Sequence, residues 1–290
     1  MLCVSTPFMA VSNSPSSYTF HRHDACMMCG SPAEEHQVLG KRLNQSQGLF
    51  PKYKRGITTT VVKCTDCGLI YADPMPIPQS VLDHYGSPPQ DYWTQPMYFD
   101  LEDMREHSRH RFERMRELMP QSANRPKALD IGFGIGKSMV LFEEYGFETW
   151  GLEPSERFRQ FAIQHFDLQP DRCIHGSIED AEFEPEMFDL ISFEAVFEHL
   201  YNPAHELERA LKWLKPGGII YIDVPNANWL THKIFNFLYH IRGLDYAANL
   251  SPMHVPYHLY EFSEESFRRN AARLGYRVLG FNHYVRQTFL

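Results

Sequence analysis

Long hydrophobic runs are missing from this sequence of 290 residues. A helix needs about 20 consecutive apolar residues to cross a bilayer, and no run approaches that length. The N-terminal stretch up to Phe20 also lacks the basic residues and the long apolar core of a signal peptide. We therefore expect a cytoplasmic protein in which residues 1–20 are a disordered lead-in.

An excess of basic charge is also missing. Lys and Arg number 28 against 36 Asp and Glu, which gives a net charge of −8. This balance argues against a broad nucleic-acid-binding face, so a nucleic acid is an unlikely partner. The hydrophobic fraction of 43% is that of a globular protein with a core.

Scattered cysteines are few, because four of the six form two C-x-x-C pairs. Four thiolate sulfurs, each about 2.3 Å from the metal, suit a tetrahedral Zn²⁺ ion. A closed site of this kind is structural. A redox dithiol pair, or a site completed by His21 or His23, remains an alternative. The predicted metal ligands, within a small module at residues 21–75, are Cys26, Cys29, Cys64 and Cys67.

The rest of the chain alternates between strand-like and helix-like segments. Residues 76–125 are predicted to form a proline-rich linker and a helix near 100–119. From residue 126 to 290 the alternation predicts a parallel sheet with helices on both faces. A last helix is expected to precede a strand at residues 276–284.

The most informative stretch is residues 128–136, where an apolar run leads into three glycines at alternate positions. The pattern predicts a buried strand, a tight turn and a helix N-terminus. Glycine suits a backbone that takes positive φ or lies against a ligand. The helix start favours a negative or hydrogen-bond-accepting group, so the turn is predicted to hold part of a cofactor.

A carboxylate is predicted at the end of the next strand. Glu153 is placed to accept hydrogen bonds from both ribose hydroxyls of a nucleoside, as in nucleotide-binding βαβ units. An exposed carboxylate with no ligand is the other interpretation.

Three segments together resemble the class I S-adenosylmethionine (SAM) methyltransferases. The G-x-G-x-G turn preceded by Asp130 resembles their motif I, and Lys137 occupies the position of the third glycine of a dinucleotide fingerprint. FDLISFEAVFEHLYNP and LKPGG resemble the family around its fourth and fifth strands. Within the family, the sequence is most similar to ubiquinone-type O-methyltransferases, especially members with an N-terminal C-x-x-C pair.

This resemblance implies a Rossmann-like, doubly wound, mostly parallel α/β sheet with SAM as cofactor, here joined to a small zinc-ribbon-like N-terminal module. The family usually ends with a long seventh strand, and only VRQTFL remains for it. In the family an acidic residue often contacts the adenine amine. In this sequence Ser177 or Glu179 would take the place of that residue. The implied cofactor-binding residues are Asp130, Gly132, Phe133, Gly134, Gly136, Glu153, Pro154, Ser177, Ile178, Phe193, Glu194 and Ala195.

Histidines are the candidate catalytic bases because imidazole titrates near neutrality. The resemblance places His199 near the methyl group, and His254 and His258 lie in a segment that reaches the active site in relatives. A packing or surface role for any one of the 15 histidines is the alternative.

The aromatic segment at residues 226–260 is predicted to be a lid insertion that shapes the acceptor pocket. A plain hydrophobic cap on the sheet is an alternative. A third is an amphipathic helix with Lys233 and Arg242 that makes weak contact with a membrane surface.

The resulting expectation is a SAM-dependent methyltransferase acting on a small-molecule, glycan or lipid-linked acceptor by O- or C-methylation. An RNA methyltransferase is the alternative, supported by Lys52, Lys54 and Arg55. A non-catalytic scaffold is disfavoured by the intact glycine turn. The sequence gives no oligomeric state.

Overall fold

The computed structural model describes residues 18–42, 59–78, 99–119, 125–250 and 258–284. The strands are β1 (Tyr18–His21), β2 (Gln37–Arg42), β3 (Thr60–Lys63), β4 (Ile70–Asp73), β5 (Met75–Pro78), β6 (Lys127–Ile131), β7 (Glu148–Glu153), β8 (Cys173–His175), β9 (Phe188–Glu194), β10 (Leu214–Asp223), β11 (Tyr246–Ala247) and β12 (Tyr260–Glu261). The α-helices are α1 (Leu101–Leu118), α2 (Lys137–Glu144), α3 (Glu156–Phe166), α4 (Pro203–Trp213), α5 (Leu230–Ile241) and α6 (Glu264–Leu274).

A five-stranded parallel sheet forms the centre of the larger part of the chain. Its strand order is β10-β9-β6-β7-β8, and every neighbouring pair is parallel. The central strands read as apolar runs because such sheets are buried on both faces. Leu129 on β6 and Ile191 on β9 are fully buried register partners. The predicted fold class, a Rossmann-like α/β sheet, is confirmed.

Helix boundaries follow the capping residues of the sequence. The Ser155 side chain accepts a hydrogen bond from the Phe158 N–H at the start of α3, and Asn202 caps α4 in the same way. Gly275 ends α6 at φ +80°. A side-chain oxygen satisfies backbone donors that the first helical turn leaves unpaired, which explains why Ser155 and Asn202 begin helices.

A second five-stranded sheet lies beside the two C-x-x-C-Gly turns, residues 26–30 and 64–68, which are called the cysteine knuckles. Its order is β11-β2-β3-β4-β12, with an antiparallel meander of β2, β3 and β4 at the centre. The edge strands β11 and β12 come from the far end of the chain. The segment that follows the central sheet therefore completes the sheet of the N-terminal module.

One hydrophobic core runs through both sheets. Met28 and Leu69 beside the cysteines belong to the same buried cluster as Leu129 and Phe193 of the central sheet. Tyr260 on β12 lies within this cluster and is almost fully buried. The module and the central sheet are thus held together by shared apolar packing.

The structure corrects the predicted C-terminal strand. Residues 276–284 contain no strand in the described part of the chain, and the segment for a seventh strand lies outside the described residues. The predicted lead-in ends before residue 20, because Tyr18–His21 pairs with β5 as a strand. Among the described helices, none combines the length and apolar content that crossing a bilayer requires.

Candidate cofactor and active site

The glycine turn joins β6 to α2 at the carboxyl edge of the central sheet. Gly132, Gly134 and Gly136 have φ values of +70°, +56° and +86°. A Cβ atom on Gly132 would lie 2.5 Å from Val196 Cγ2, and one on Gly136 would lie 2.7 Å from Leu168 Cδ1. The turn therefore requires glycine both for its backbone conformation and for its packing.

Glu153 closes this turn from the end of β7. One carboxylate oxygen accepts the Gly134 N–H at 2.8 Å, and the other accepts the Ser155 N–H at 2.8 Å. Burial raises the pKa of Glu153 to about 7, against the two backbone hydrogen bonds that lower it. Because each carboxylate oxygen has two lone pairs, both retain acceptor capacity for ligand hydroxyls.

Asp130 is a buried residue of β6 that bonds to the neighbouring strand. Its carboxylate accepts the Ser192 hydroxyl at 2.6 Å, and the two residues are register partners. Burial, followed by the negative charge of Glu194, raises the pKa of Asp130 well above its ordinary value. The predicted contact of Asp130 with the cofactor stays a prediction.

The exit of β9 carries Phe193, Glu194 and Ala195. Phe193 is fully buried, while Ala195 is exposed at φ +54°, a left-handed conformation that is uncommon outside glycine. Glu194 forms a mostly buried ion pair with Arg111 of α1 at 3.1 Å. The sequence reading missed Arg111, and its position within a polar helix gave no distinguishing signal.

The loop after β8 lies beside the end of β7. The Gly176 N–H donates to the Glu153 carbonyl at 3.1 Å, which brings the Ser177 turn next to this edge. Ser177 donates to Asp180 at 3.0 Å, Ile178 is buried, and the Pro154 carbonyl lies 3.0 Å from a His175 ring nitrogen. The contact of Ser177 and Ile178 with the adenine stays a prediction.

Two of the predicted bases converge on a carboxylate. His199 and His258 each place Nε2 3.9 Å from Glu198 Oε1, and their ring centroids are 4.9 Å apart. Glu198 is buried, and the sequence reading did not single it out although it lies in the FEHL motif. His254 lies outside the described residues.

The four predicted metal ligands lie together. The Sγ atoms of Cys26, Cys29, Cys64 and Cys67 all fall within 4.8 Å of one another. Two separations of 3.5 Å join Cys26 to Cys67 and Cys29 to Cys64, across the two knuckles. Four sulfurs around tetrahedral zinc would be about 3.8 Å apart, so this donor set fits the ion. In the described residues neither His21 nor His23 joins the group.

The two knuckles have the same backbone. The Gly30 N–H donates to the Cys26 carbonyl at 2.8 Å, and the Gly68 N–H donates to the Cys64 carbonyl at 3.0 Å. Both glycines have positive φ, at +81° and +72°. The repeated turn directs two thiols from each knuckle toward one point.

Comparisons with known proteins place the chain among methyltransferases. A family model described as a methyltransferase domain matches residues 102–280, well over half of the chain. The ubiquinone biosynthesis O-methyltransferase of Azoarcus sp. (strain BH72) is 28% identical over 129 residues, covering 43% of this chain and 53% of that protein. The corresponding protein of Coxiella burnetii (strain RSA 493 / Nine Mile phase I) is 28% identical over 127 residues, covering 43% and 52%.

The chain thus spans about half the length of the curated relatives it matches. Among solved structures, a SAM-dependent methyltransferase of Leishmania major is similar with a TM-score of 0.45 and 18% identity, covering 61% of this chain and 65% of that one. The family-model match spans α1, the glycine turn and the whole parallel sheet. The chain belongs to the methyltransferase-domain family.

Proposed function

We propose that this protein is a SAM-dependent methyltransferase. The observation that carries the proposal is the glycine turn held against the buried Glu153 carboxylate at the carboxyl edge of a parallel sheet. This edge is where open α/β sheets bind nucleotides, and a carboxylate there is suited to ribose hydroxyls. Family membership supports the same reading.

The residues of the turn would bind and orient SAM. When bound, SAM supplies a methyl group activated by its sulfonium. The acceptor oxygen or carbon forms a bond to this methyl as the sulfur–carbon bond breaks, and the acceptor loses a proton. Holding the two reactants in line is worth about 7–11 kcal/mol of the barrier, so positioning is the main task of the protein.

The proton would be handled near His199 and His258. Both side chains are about one-sixth exposed and lie beside Glu198 at the exit of β9. Imidazole is the side chain that most often accepts a proton in enzyme active sites. His254, in the segment between residue 250 and His258 that lies outside the described residues, stays a third candidate.

We propose a small-molecule, glycan or lipid-linked acceptor, with a hydroxyl or a carbon as the methylated atom. The names of the ubiquinone biosynthesis relatives favour a small-molecule hydroxyl. The net charge of −8 disfavours RNA, and the basic stretch that supported RNA binding lies outside the described residues.

A lipid-linked acceptor receives separate support from α5. The exposed stripe of this helix consists of Leu230, Ile234, Phe237 and Ile241, each at least half exposed. Lys233 and Arg242 flank the stripe, and the helix contains no acidic residue. An apolar stripe flanked by cations suits weak contact with an anionic membrane surface.

We also propose that the four cysteines bind one structural Zn²⁺ ion. The four sulfur atoms all lie within 4.8 Å of one another, and zinc binding displaces the protons of its thiol ligands. A closed set of four thiolates leaves no position for a substrate, so the ion would support the fold.

Calorimetric titration with SAM tests the proposed activity at its first step. Gly134→Val and Glu153→Gln should both abolish measurable SAM binding while circular dichroism shows a folded protein. Gly243→Val is the matched control for the turn, since Gly243 also has positive φ, at +66°, with no atom near its Cβ position. Glu184→Gln is the control for an exposed carboxylate. Normal SAM binding by Glu153→Gln would contradict the site assignment, and no binding by the wild type would contradict the function.

A further inference from the structure

The Ser31 hydroxyl lies between the two cysteine knuckles. Its Oγ atom is 3.2 Å from Cys29 Sγ and 3.1 Å from Cys64 Sγ, so it contacts one sulfur of each knuckle. Ser31 is 7% exposed, and its carbonyl accepts the Cys26 N–H at 2.8 Å. The backbone of the first knuckle therefore holds this hydroxyl at the predicted metal site.

Two further side chains continue from Ser31 away from the sulfurs. His36 Nε2 is 3.0 Å from Ser31 Oγ, and His36 Nδ1 is 2.7 Å from the Tyr71 hydroxyl oxygen. His36 comes directly after the 3-10 helix Ala33–Glu35, and Tyr71 on β4 is 2% exposed. A continuous row of polar atoms thus runs from the sulfurs to the sheet of the module.

The number of protons fixes the direction of these hydrogen bonds once the sulfurs are thiolates. A thiolate only accepts, so the single Ser31 hydroxyl proton is donated to Cys64 or shared between Cys64 and Cys29. Ser31 Oγ must then accept from His36 Nε2, because the serine has no second proton. A neutral imidazole carries one proton, so His36 Nδ1 accepts the Tyr71 hydroxyl. A protonated Cys64 thiol would allow the opposite direction.

This direction delivers a hydrogen bond to sulfurs that need one. Four thiolates outweigh the two positive charges of a zinc ion, so the loaded site carries net negative charge. Three of the four cysteines belong to the buried apolar core that both sheets share, where uncompensated charge is costly. Hydrogen bonds in a row polarise one another, so His36 and Tyr71 strengthen the bond that Ser31 donates.

We propose that Ser31, His36 and Tyr71 form an outer hydrogen-bond network that stabilises the cysteines as zinc thiolates. The proposal rests on the proposed zinc site and assigns three residues beyond the four sulfur ligands. They are positioning residues, because only the Ser31 hydroxyl reaches the sulfurs and the other two act through it. The network should therefore govern how tightly zinc is held, and it should leave SAM binding unchanged.

Competition for zinc between the full-length protein and a chromophoric chelator tests the network. Ser31→Ala should weaken zinc affinity by about 10–100-fold, the range typical of residues behind a metal's ligands. Tyr71→Phe should weaken it less, because it removes only the far end of the network. Ser138→Ala is the matched serine control, since Ser138 on α2 is also 7% exposed. Tyr276→Phe is the tyrosine control, since the Tyr276 hydroxyl donates to the Phe267 carbonyl at 3.1 Å instead.

Nitrogen-15 NMR of the imidazole groups gives a readout that a purely structural role would not move. At about pH 8, where an ordinary imidazole is neutral, His36 of the zinc-loaded protein should carry its proton on Nε2. The His36→Gln variant identifies the signal by its loss. A proton on Nδ1 in the zinc-loaded protein would overturn the proposed direction.

Circular dichroism and SAM titration at saturating zinc should give wild-type results for Ser31→Ala and Tyr71→Phe. If Ser31→Ala does not fold, Tyr71→Phe makes the same comparison, since it removes one hydroxyl and no bulk. Equal zinc affinity in the wild type and both variants would overturn the network alone. Absence of zinc from the wild type would contradict the zinc site and the network with it. Lack of SAM binding by the wild type would instead contradict the proposed methyltransferase, which the zinc measurements do not involve.

Discussion

Among single residues, Glu153 combines a structural and a proposed ligand-binding role. Its two backbone hydrogen bonds tie β7 to the glycine turn and to the start of α3. The sequence pattern identified the residue, since a carboxylate at a strand end after a glycine turn is recognisable from spacing. Its burial and its raised pKa depend on packing from several elements.

The stability of the ligand-free protein should therefore depend on pH through Glu153. Its pKa is raised from 4.5 to about 7 by burial, so the folded state binds this proton more tightly than the unfolded state. The resulting stability is fully present below about pH 4.5 and is lost as pH rises through 7, a loss of about 3 kcal/mol.

Urea unfolding at a series of pH values between about 4 and 8 measures this loss. Glu153→Gln should flatten the decline in the free energy of unfolding relative to the wild type. Asp130, whose raised pKa acts in the same direction, is present in both proteins, so the difference between the two profiles reports Glu153 together with the effect of its charge on Asp130. Parallel profiles for the two proteins would contradict the prediction.

Gly151 shows a packing requirement that the sequence did not reveal. It lies within β7, and a Cβ atom there would be 2.3 Å from Phe133 Cδ1 and 2.5 Å from Met139 Sδ. Gly151→Ala should destabilise the protein by about 1–3 kcal/mol by overpacking, and it should weaken SAM binding because Phe133 belongs to the turn.

Thermal or urea unfolding and SAM calorimetry check both effects. Gly176→Ala is the control, since no atom lies within 4 Å of its Cβ position. A Gly151→Ala variant that is as stable as the wild type would show that Phe133 and Met139 have room to move, against the expectation.

Among the secondary-structure elements, α5 differs from a core helix because several of its large apolar side chains point away from the protein. Its exposed stripe is apolar, whereas two of its polar residues, His232 and Asn236, are half-buried, and Asn236 bonds to Asn249 at 2.8 Å. The sequence indicated a lid in this segment, with an amphipathic helix as one of two alternatives. Which face points outward was decided by the polar partners that the fold offers.

Flotation with vesicles tests the proposed membrane contact of α5. Phe237→Asp should lower binding to vesicles that contain anionic lipid, because it places a charge at the centre of the apolar stripe. Val38→Asp is the matched control, since Val38 on β2 is 62% exposed and Phe237 is 63% exposed. Equal binding by the two variants, or none by the wild type, would contradict the contact.

The predicted strand at residues 276–284 is the element on which sequence reasoning was wrong. Its β-branched and aromatic residues favour a strand in isolation, yet the described residues there are irregular. Tyr276 instead donates to the Phe267 carbonyl at 3.1 Å, which ties the segment to α6. Strand propensity is realised only where a sheet edge is available for pairing.

Across the molecule as a whole, the cysteine knuckles and the C-terminal helix support each other. Ser263 at the start of α6 donates to the Cys67 carbonyl, and Asn270 donates to the Met28 carbonyl at 3.2 Å. β12, which extends the sheet of the module, begins only two residues after His258. Loss of the knuckles should therefore disturb the side of the site that carries His258.

The double variant Cys64→Ser, Cys67→Ser tests this coupling. It should bind one zinc ion fewer per chain than the wild type, by metal analysis, and lose hydrogen-exchange protection at residues 260–274. Protection in β6 and β7 should persist longer, because those strands lie at the centre of the parallel sheet. Cys173→Ser is the control, since Cys173 is a buried cysteine of β8 outside the cluster.

Unchanged protection at residues 260–274 in the double variant would show that α6 does not depend on the knuckles. Unchanged zinc content would contradict the proposed ligand set itself. The two readouts thus separate the metal assignment from the coupling.

Local patterns were enough to predict the parallel sheet, the glycine turn, Glu153 and the four cysteines, because strand periodicity, glycine spacing and ligand spacing can be read over short stretches of chain. Three features emerged only from the folded chain: the burial of Asp130 against Ser192, the grouping of Glu198 with two histidines, and the sheet that β2, β3 and β4 share with β11 and β12. These features join residues far apart in the chain. Their formation depends on which surfaces remain to be buried once the local elements exist, and no short pattern records that.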